Sequence, residues 1–182
     1  MKRLAVDVVA VAIALSLVGV ACTNGTGTTR ASSTTAASGP TTAAAGPTTT
    51  VVTFSRVAYK ISKMPNATRC ALLADTEAKQ EYGLMNRTDL SGFDGMLFVF
   101  QSSTTVSFWM KDTPTALSIA WFDANGGFVS SADMPPCVGK GDNCPTFAAA
   151  GPYKFALEVA QGGLGGLGIG PGAVLTYGGA CT

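Results

Sequence analysis

Two stretches of the chain alternate between apolar and polar positions. In the first, Val106, Phe108 and Met110 point one way and Ser107, Trp109 and Lys111 the other. In the second, Tyr153, Phe155, Leu157 and Val159 make one apolar face opposite Lys154, Ala156 and Glu158. Period two is the signature of a strand with one buried face. Residues 96–100 are apolar without alternation, as in a strand covered on both sides. Further strands are expected over 52–60, 68–73, 117–123 and 173–177. The run Asp123-Ala124-Asn125-Gly126-Gly127 turns the chain back through Phe128 and Val129. One helix is expected over 76–82, capped by Asp75 and ended by Gly83. Ala78, Tyr82 and Met85 would form its sheet-facing side. Seven or eight short strands and a single helix imply a mainly β fold, a β-rich α+β arrangement. The expected sheet is compact, mostly antiparallel and barrel-like, over residues 52–182.

The first fifty residues follow other rules. A basic Met1-Lys2-Arg3 start precedes an uncharged run over 8–21 that ends at Gly19-Val20-Ala21-Cys22. That run is short for a membrane span and suits a signal peptide, residues 1–21. Small residues before a cysteine resemble a bacterial lipobox, so Cys22 is expected to carry lipid. Ordinary cleavage and secretion, with Cys22 a free thiol, is the alternative. Acyl chains would fix the product to the outer face of the cell membrane. Residues 22–51 are rich in Thr and Ala and lack aromatic side chains. They read as a flexible tether, with too little apolar surface to offset the entropy of ordering.

Charge removes several function classes. The 12 basic and 11 acidic residues leave a net charge of +1, with no basic footprint for nucleic acid and no polybasic membrane patch. The chain has no histidine, which excludes a Ser-His-Asp triad and the commonest metal ligand. No cofactor and no metal site are expected. Gly163-Leu164-Gly165-Gly166-Leu167-Gly168 matches a dinucleotide fingerprint literally. It lacks the following helix and the acid about 20 residues on, so it reads as a loop.

Apart from Cys22 the cysteines are Cys70, Cys137, Cys144 and Cys181. Four allow three pairings. Cys137 and Cys144 share one loop and are the natural local pair, which would leave Cys70 to reach Cys181. Zinc is disfavoured by spacing and by export. A redox role for Cys137 and Cys144 stays open, although their spacing is not Cys-x-x-Cys.

Three motifs occur in order: Gly-Leu-Met-x-Arg at 83–87, Gly-Met-Leu-Phe-Val-Phe at 95–100, and Phe-Trp-Met-Lys-x-Thr at 108–113. Together they resemble the family known as domain of unknown function 192, and the likeness extends over roughly 68–177. The resemblance implies a compact β architecture and a Cys…Cys-Pro loop, without settling whether that loop is staple or switch. It also marks departures. Asp112 stands where the family usually has Asn, Ser118 and Ala173 where it tends to have Asp.

The candidate site residues are Arg87, Trp109, Lys111, Asp112 and Glu158. Arg87 offers a fork of donors for a carboxylate, or a structural ion pair with Asp89, Asp94 or Glu158. Trp109 beside Lys111 is an aromatic plate next to a cation, a ligand floor or the lid of a second small core. Asp112 and Glu158 could be an acid–base pair, or a strand-end cap and a surface charge. Three functions compete. The first is a non-enzymatic module that binds a small ligand, a cell-wall component or an envelope protein. The second is a hydrolase or lyase using Asp112 and Glu158. The third is a thiol–disulfide protein using Cys137 and Cys144.

Overall fold

The structure, a computed structural model, describes residues 51–181. The expected signal peptide, Cys22 and the Thr/Ala-rich residues up to 50 lie outside the described residues. The described part is mainly β. Its strands are β1 (Ser55–Ile61), β2 (Arg69–Ala74), β3 (Gly95–Thr104), β4 (Phe108–Trp109), β5 (Leu117–Phe122), β6 (Phe128–Met134), β7 (Thr146–Phe147), β8 (Tyr153–Ala160) and β9 (Leu175–Tyr177). One helix, α1 (Glu77–Tyr82), lies between β2 and β3.

Seven strands form one sheet in the order β6-β5-β8-β3-β2-β1-β9, and β4 and β7 make a separate two-stranded ribbon. All pairings are antiparallel except β2 with β3. That parallel pair needs a crossover, and the segment carrying α1 supplies it. The sheet curls until its two edges touch at one corner. There Phe128 N–H donates to Ala173 O at 3.0 Å and Leu175 N–H donates to Gly126 O at 2.8 Å. The contact is one isolated bridge, Gly127 with Val174, so the sheet is a half-barrel and not a closed barrel.

Both faces of the central strands are buried. On one face Ile61, Leu97, Phe122, Leu157, Val159 and Leu175 pack with Leu167 and Ile169 from the glycine-rich loop. On the other, Met96, Phe98, Ile119, Trp121 and Met134 pack with Met110 and Tyr153. Leu97 faces the first cluster while Met96 and Phe98 face the second, which is why residues 96–100 do not alternate. Each large apolar side chain buried this way contributes about 1.5–3 kcal/mol.

Several local expectations are corrected. Thr76, not Asp75, caps α1: its hydroxyl accepts from Lys79 N–H at 3.4 Å. Asp75 instead holds Lys79 Nζ at 2.7 Å. Ala78 is exposed, and α1 is fixed to the sheet by Gln80, whose side-chain amide donates to Val99 O at 2.8 Å and Ala74 O at 3.4 Å. The alternating stretch 106–111 yields only the two residues of β4, and Val106 is exposed. Tyr153 leaves the face of Phe155 and Leu157 and joins the second cluster. Beside it the β3–β8 register shifts between Val99 and Thr104. The strand at Thr146–Phe147 had no sequence signal of its own; it exists because β4 pairs with it.

The cystines follow the strands. Cys137 stands 5.9 Å from Cys144 and Cys70 5.6 Å from Cys181, measured between Cα atoms, and the sulfurs are bonded in those pairs.

Candidate functional site: an aromatic cleft over a buried carboxyl

A cleft of about 1040 Å³ opens over the second cluster's face of the sheet. One wall is α1 and its approach, with Asp75, Glu77, Gln80 and Glu81. The opposite wall is β4 and the residues that follow it, with Phe108, Trp109, Lys111 and Thr113. Phe98, Phe100 and Tyr153 lie between, and Glu158 of β8 also lines the cleft.

The aromatic rings fix one another edge to face. Ring centres are 4.9 Å apart for Phe98 and Phe108, 5.4 Å for Phe100 and Tyr153, and 6.4 Å for Phe100 and Phe108. This is the geometry that ring quadrupoles favour. The Tyr153 hydroxyl donates to Val106 O at 2.6 Å. Burial pushes the Tyr153 hydroxyl up to about 12, so it stays a donor at any ordinary pH.

Glu158 is only 5% exposed. Its backbone pairs with Met96 on β3 and Ile119 on β5, so its carboxyl rises from an apolar part of the sheet. It takes part in none of the ion pairs among the described residues. Burial alone pushes the carboxyl from its ordinary 4.5 up to about 8. At neutral pH it is therefore a neutral acid, a donor as well as an acceptor. The surface-charge reading of Glu158 is wrong: in the alternating stretch 153–159 both faces are covered. Gly95 belongs to the same detail. A Cβ there would sit 1.8 Å from Glu158 O, so the glycine opening Gly-Met-Leu-Phe-Val-Phe lets β3 approach β8.

Trp109 and Lys111 line the cleft, but each has a partner in the cystine loop. Trp109 Nε1 donates to Cys144 O at 3.1 Å. Lys111 Nζ lies 2.9 Å from Asp142 and 4.9 Å from the centre of the Trp109 ring. The hydrogen bond to Asp142 holds the Lys111 ammonium above its usual value.

Arg87 and Asp112 are not among the residues that line the cleft. Arg87 pairs with none of Asp89, Asp94 and Glu158. Asp89 caps a turn at Ser91 N, and Asp94 holds Arg69 at 3.3 Å. The Arg87 guanidinium stacks 5.4 Å from the Phe54 ring centre, and its Nε is buried without a hydrogen bond. Asp112 has φ +49°, a conformation that Asn and Asp tolerate better than other side chains. Its carbonyl accepts Asn86 N–H at 2.8 Å. Asn and Asp both suit this turn, which gives the exchange of Asn for Asp a backbone reason. Ser118 also has its own account: its hydroxyl donates to Asp133 and accepts Gly162 N–H at 2.9 Å.

The sequence did not place Phe98, Phe100, Phe108 and Tyr153 or the helix acids Glu77 and Glu81 along one cleft. A signal existed for the rings. Phe98 and Phe100 share one face of a strand, and Phe108 begins the next motif. The convergence of α1 with β4 across the sheet had none.

A mostly β half-barrel with an aromatic cleft over a buried acid is the class defined by this geometry. The chain belongs to the DUF192 family, described as an uncharacterised ACR, whose profile matches residues 59–177. No curated protein matches it. Two solved structures share the fold. One, from Sinorhizobium meliloti 1021, is provisionally described as a transcription regulator. It is 22% identical with a TM-score of 0.60, covering 70% of this chain and 98% of that one. The other, a protein of unknown function from Novosphingobium aromaticivorans DSM 12444, is 27% identical with a TM-score of 0.55. It covers 73% of this chain and 91% of the other.

Proposed function

We propose that the β domain is a binding module that takes a small, largely apolar molecule in the cleft between α1 and β4. The observation that carries this reading is the cleft itself. It has about 1040 Å³ of space, aromatic walls and one buried carboxyl without an ion-pair partner. Small-molecule sites are commonly mostly apolar hollows of ~300–1000 Å³ with a few convergent polar groups. The cleft is open and lies just above that range.

The acid–base alternative gains one observation, the raised pKa of Glu158. Its named partner carboxylate, Asp112, does not line the cleft. The thiol–disulfide alternative is weakened by burial: Cys137 and Cys144 are 2% and 7% exposed, which favours a staple.

The leader-like first 21 residues, Cys22 and the two cystines support an exported protein held at the outer face of the cell membrane by acylated Cys22. Wall fragments, envelope metabolites and envelope proteins are then the natural partners to screen. The test of the module is a titration of the purified protein against such compounds, followed by the fluorescence of Trp109 and Trp121. Saturable quenching or shift that disappears on filling the cleft with Thr104→Trp supports the reading. A response unchanged by that substitution places the ligand elsewhere and removes it.

A further inference from the structure

We infer that the ligand of this cleft carries a cationic ammonium group, seated against Glu158 among the aromatic side chains that line the same space; the inference rests on the binding-module reading. Charge is the first argument. The acidic and basic side chains along the cleft are the carboxyl groups of Asp75, Glu77, Glu81 and Glu158 and the single ammonium of Lys111. Two are already matched: Asp75 holds Lys79 at 2.7 Å, and Lys111 holds Asp142 at 2.9 Å. Glu77 and Glu81 at the mouth and Glu158 within take part in no ion pair among the described residues. An anion entering would meet three acids and no free cation.

Burial is the second argument. A carboxyl that is 5% exposed, between Met96 and Ile119 in an apolar sheet, destabilises the fold. No ion pair among the described residues repays that cost. A cation in the cleft would. Aromatic side chains are the third. Phe98, Phe100, Phe108 and Tyr153 line the same space, Phe100 and Phe108 keep part of their surface open, and aromatic rings near a carboxylate attract organic ammonium groups. A metal ion does not fit: no group of three or more acidic or cysteine side chains with metal-binding geometry occurs among the described residues, and hard cations need many oxygen ligands.

Seating a cation converts Glu158 from acid to carboxylate and releases its proton. The groups that could compete are Asp75, Glu77, Glu81 and Tyr82 from the α1 side, Lys111 beyond β4 and Tyr153 on β8. β3 and β5 put only Met96 and Ile119 beside it. Binding at pH 7 should therefore release close to one proton, and release should fade above pH 8–9.

The experiment titrates the full chain calorimetrically with hexyltrimethylammonium, hexanol and hexanoate, in two buffers of different ionisation enthalpy. The expected result is a cation bound about tenfold or more tighter than the alcohol, hexanoate weakest, and proton release for the cation alone. Glu158→Gln should remove the cation's advantage over hexanol and abolish the proton release. Should that variant not fold, the proton count on the native chain decides. Hexanol binding as tightly as the cation overturns the inference and leaves the binding module standing. Hexanoate binding tightest overturns it in favour of Glu158 as a neutral donor. Failure of all three probes to bind at millimolar concentration removes both readings.

Discussion

Trp109 Nε1 donates to the carbonyl oxygen of Cys144 at 3.1 Å. This one bond ties the wall of the cleft to a cystine loop whose sequence says nothing about the cleft. Lys111 with Asp142 and the paired backbones of Thr113 and Cys137 repeat the link. The loop thus acts as a brace for β4.

Removing the brace has two separable effects. Replacing Cys137 and Cys144 together with Ser is expected to cost about 2–3 kcal/mol, the chain-entropy value for a short loop. It should also loosen Trp109, seen as a red shift and faster quenching by iodide. Replacing Cys70 and Cys181 opens a far longer loop and should cost more, up to about 4–5 kcal/mol. It should leave Trp109 emission alone, since that cystine joins β2 to the C-terminal end. Urea unfolding with emission spectra tests both pairs. Equal spectral shifts would contradict the brace.

Glu158 makes stability depend on pH in the direction opposite to an ion-paired acid. Its folded value is about 8 against an ordinary 4.5, so the native state holds a proton that the unfolded chain has lost. The contribution is fully present below about pH 4.5 and is lost as pH rises toward 8, at no more than about 1.4 kcal/mol per unit. Glu158→Gln should remove this slope and be the more stable form at pH 8. Thermal unfolding of both proteins from pH 5 to 9 gives the difference directly. Parallel curves would mean that the carboxyl is already charged in the native state.

The sequence was legible where a residue's neighbours in the chain decide its fate. Gly83 ending α1, the unbroken apolar core of β3 and the turn after Asp123 are of that kind. Glu158 and Ala78 were misread for one shared reason. Period-two or helical spacing says which residues share a face but not what covers it, and here Glu158 is buried while Ala78 is exposed. Arg87 was read as an anion fork from its charge. Its stacking partner, Phe54, lies over thirty residues upstream in sequence and left no local mark. The three motifs supply residues of the cleft wall and of the β3–β8 contact. Within them Arg87 stacks on Phe54 and Asp112 takes a positive-φ turn.

The closing corner of the half-barrel depends on Gly126. Its φ is +81°, and a Cβ would lie 2.1 Å from Leu175 O, the backbone that pairs β9 to the turn. Gly92 has nearly the same φ, +80°, with nothing within 4 Å. Gly92→Ala should therefore cost only the left-handed backbone penalty, about 1–2 kcal/mol. Gly126→Ala should cost clearly more, because the seam itself must part. Denaturant midpoints of the two variants measure the difference. Hydrogen exchange at Phe128 and Leu175, whose amides bond across the seam, should quicken only in Gly126→Ala.

Arg87 and Trp109 separate packing from recognition. Arg87 is half-buried against Phe54 and lies off the cleft. Arg87→Ala should lose the stacking contact and the covered stem, about 1 kcal/mol of stability, and bind ligand within twofold of the native protein. Trp109 is 41% exposed and lines the cleft, so Trp109→Ala should lose little stability beyond its one hydrogen bond while binding falls severalfold. Paired unfolding and ligand titrations of the two variants give four numbers. The assignment of Arg87 to the scaffold fails if its replacement weakens binding as much as that of Trp109, for then the guanidinium must reach the ligand from outside the cleft as described.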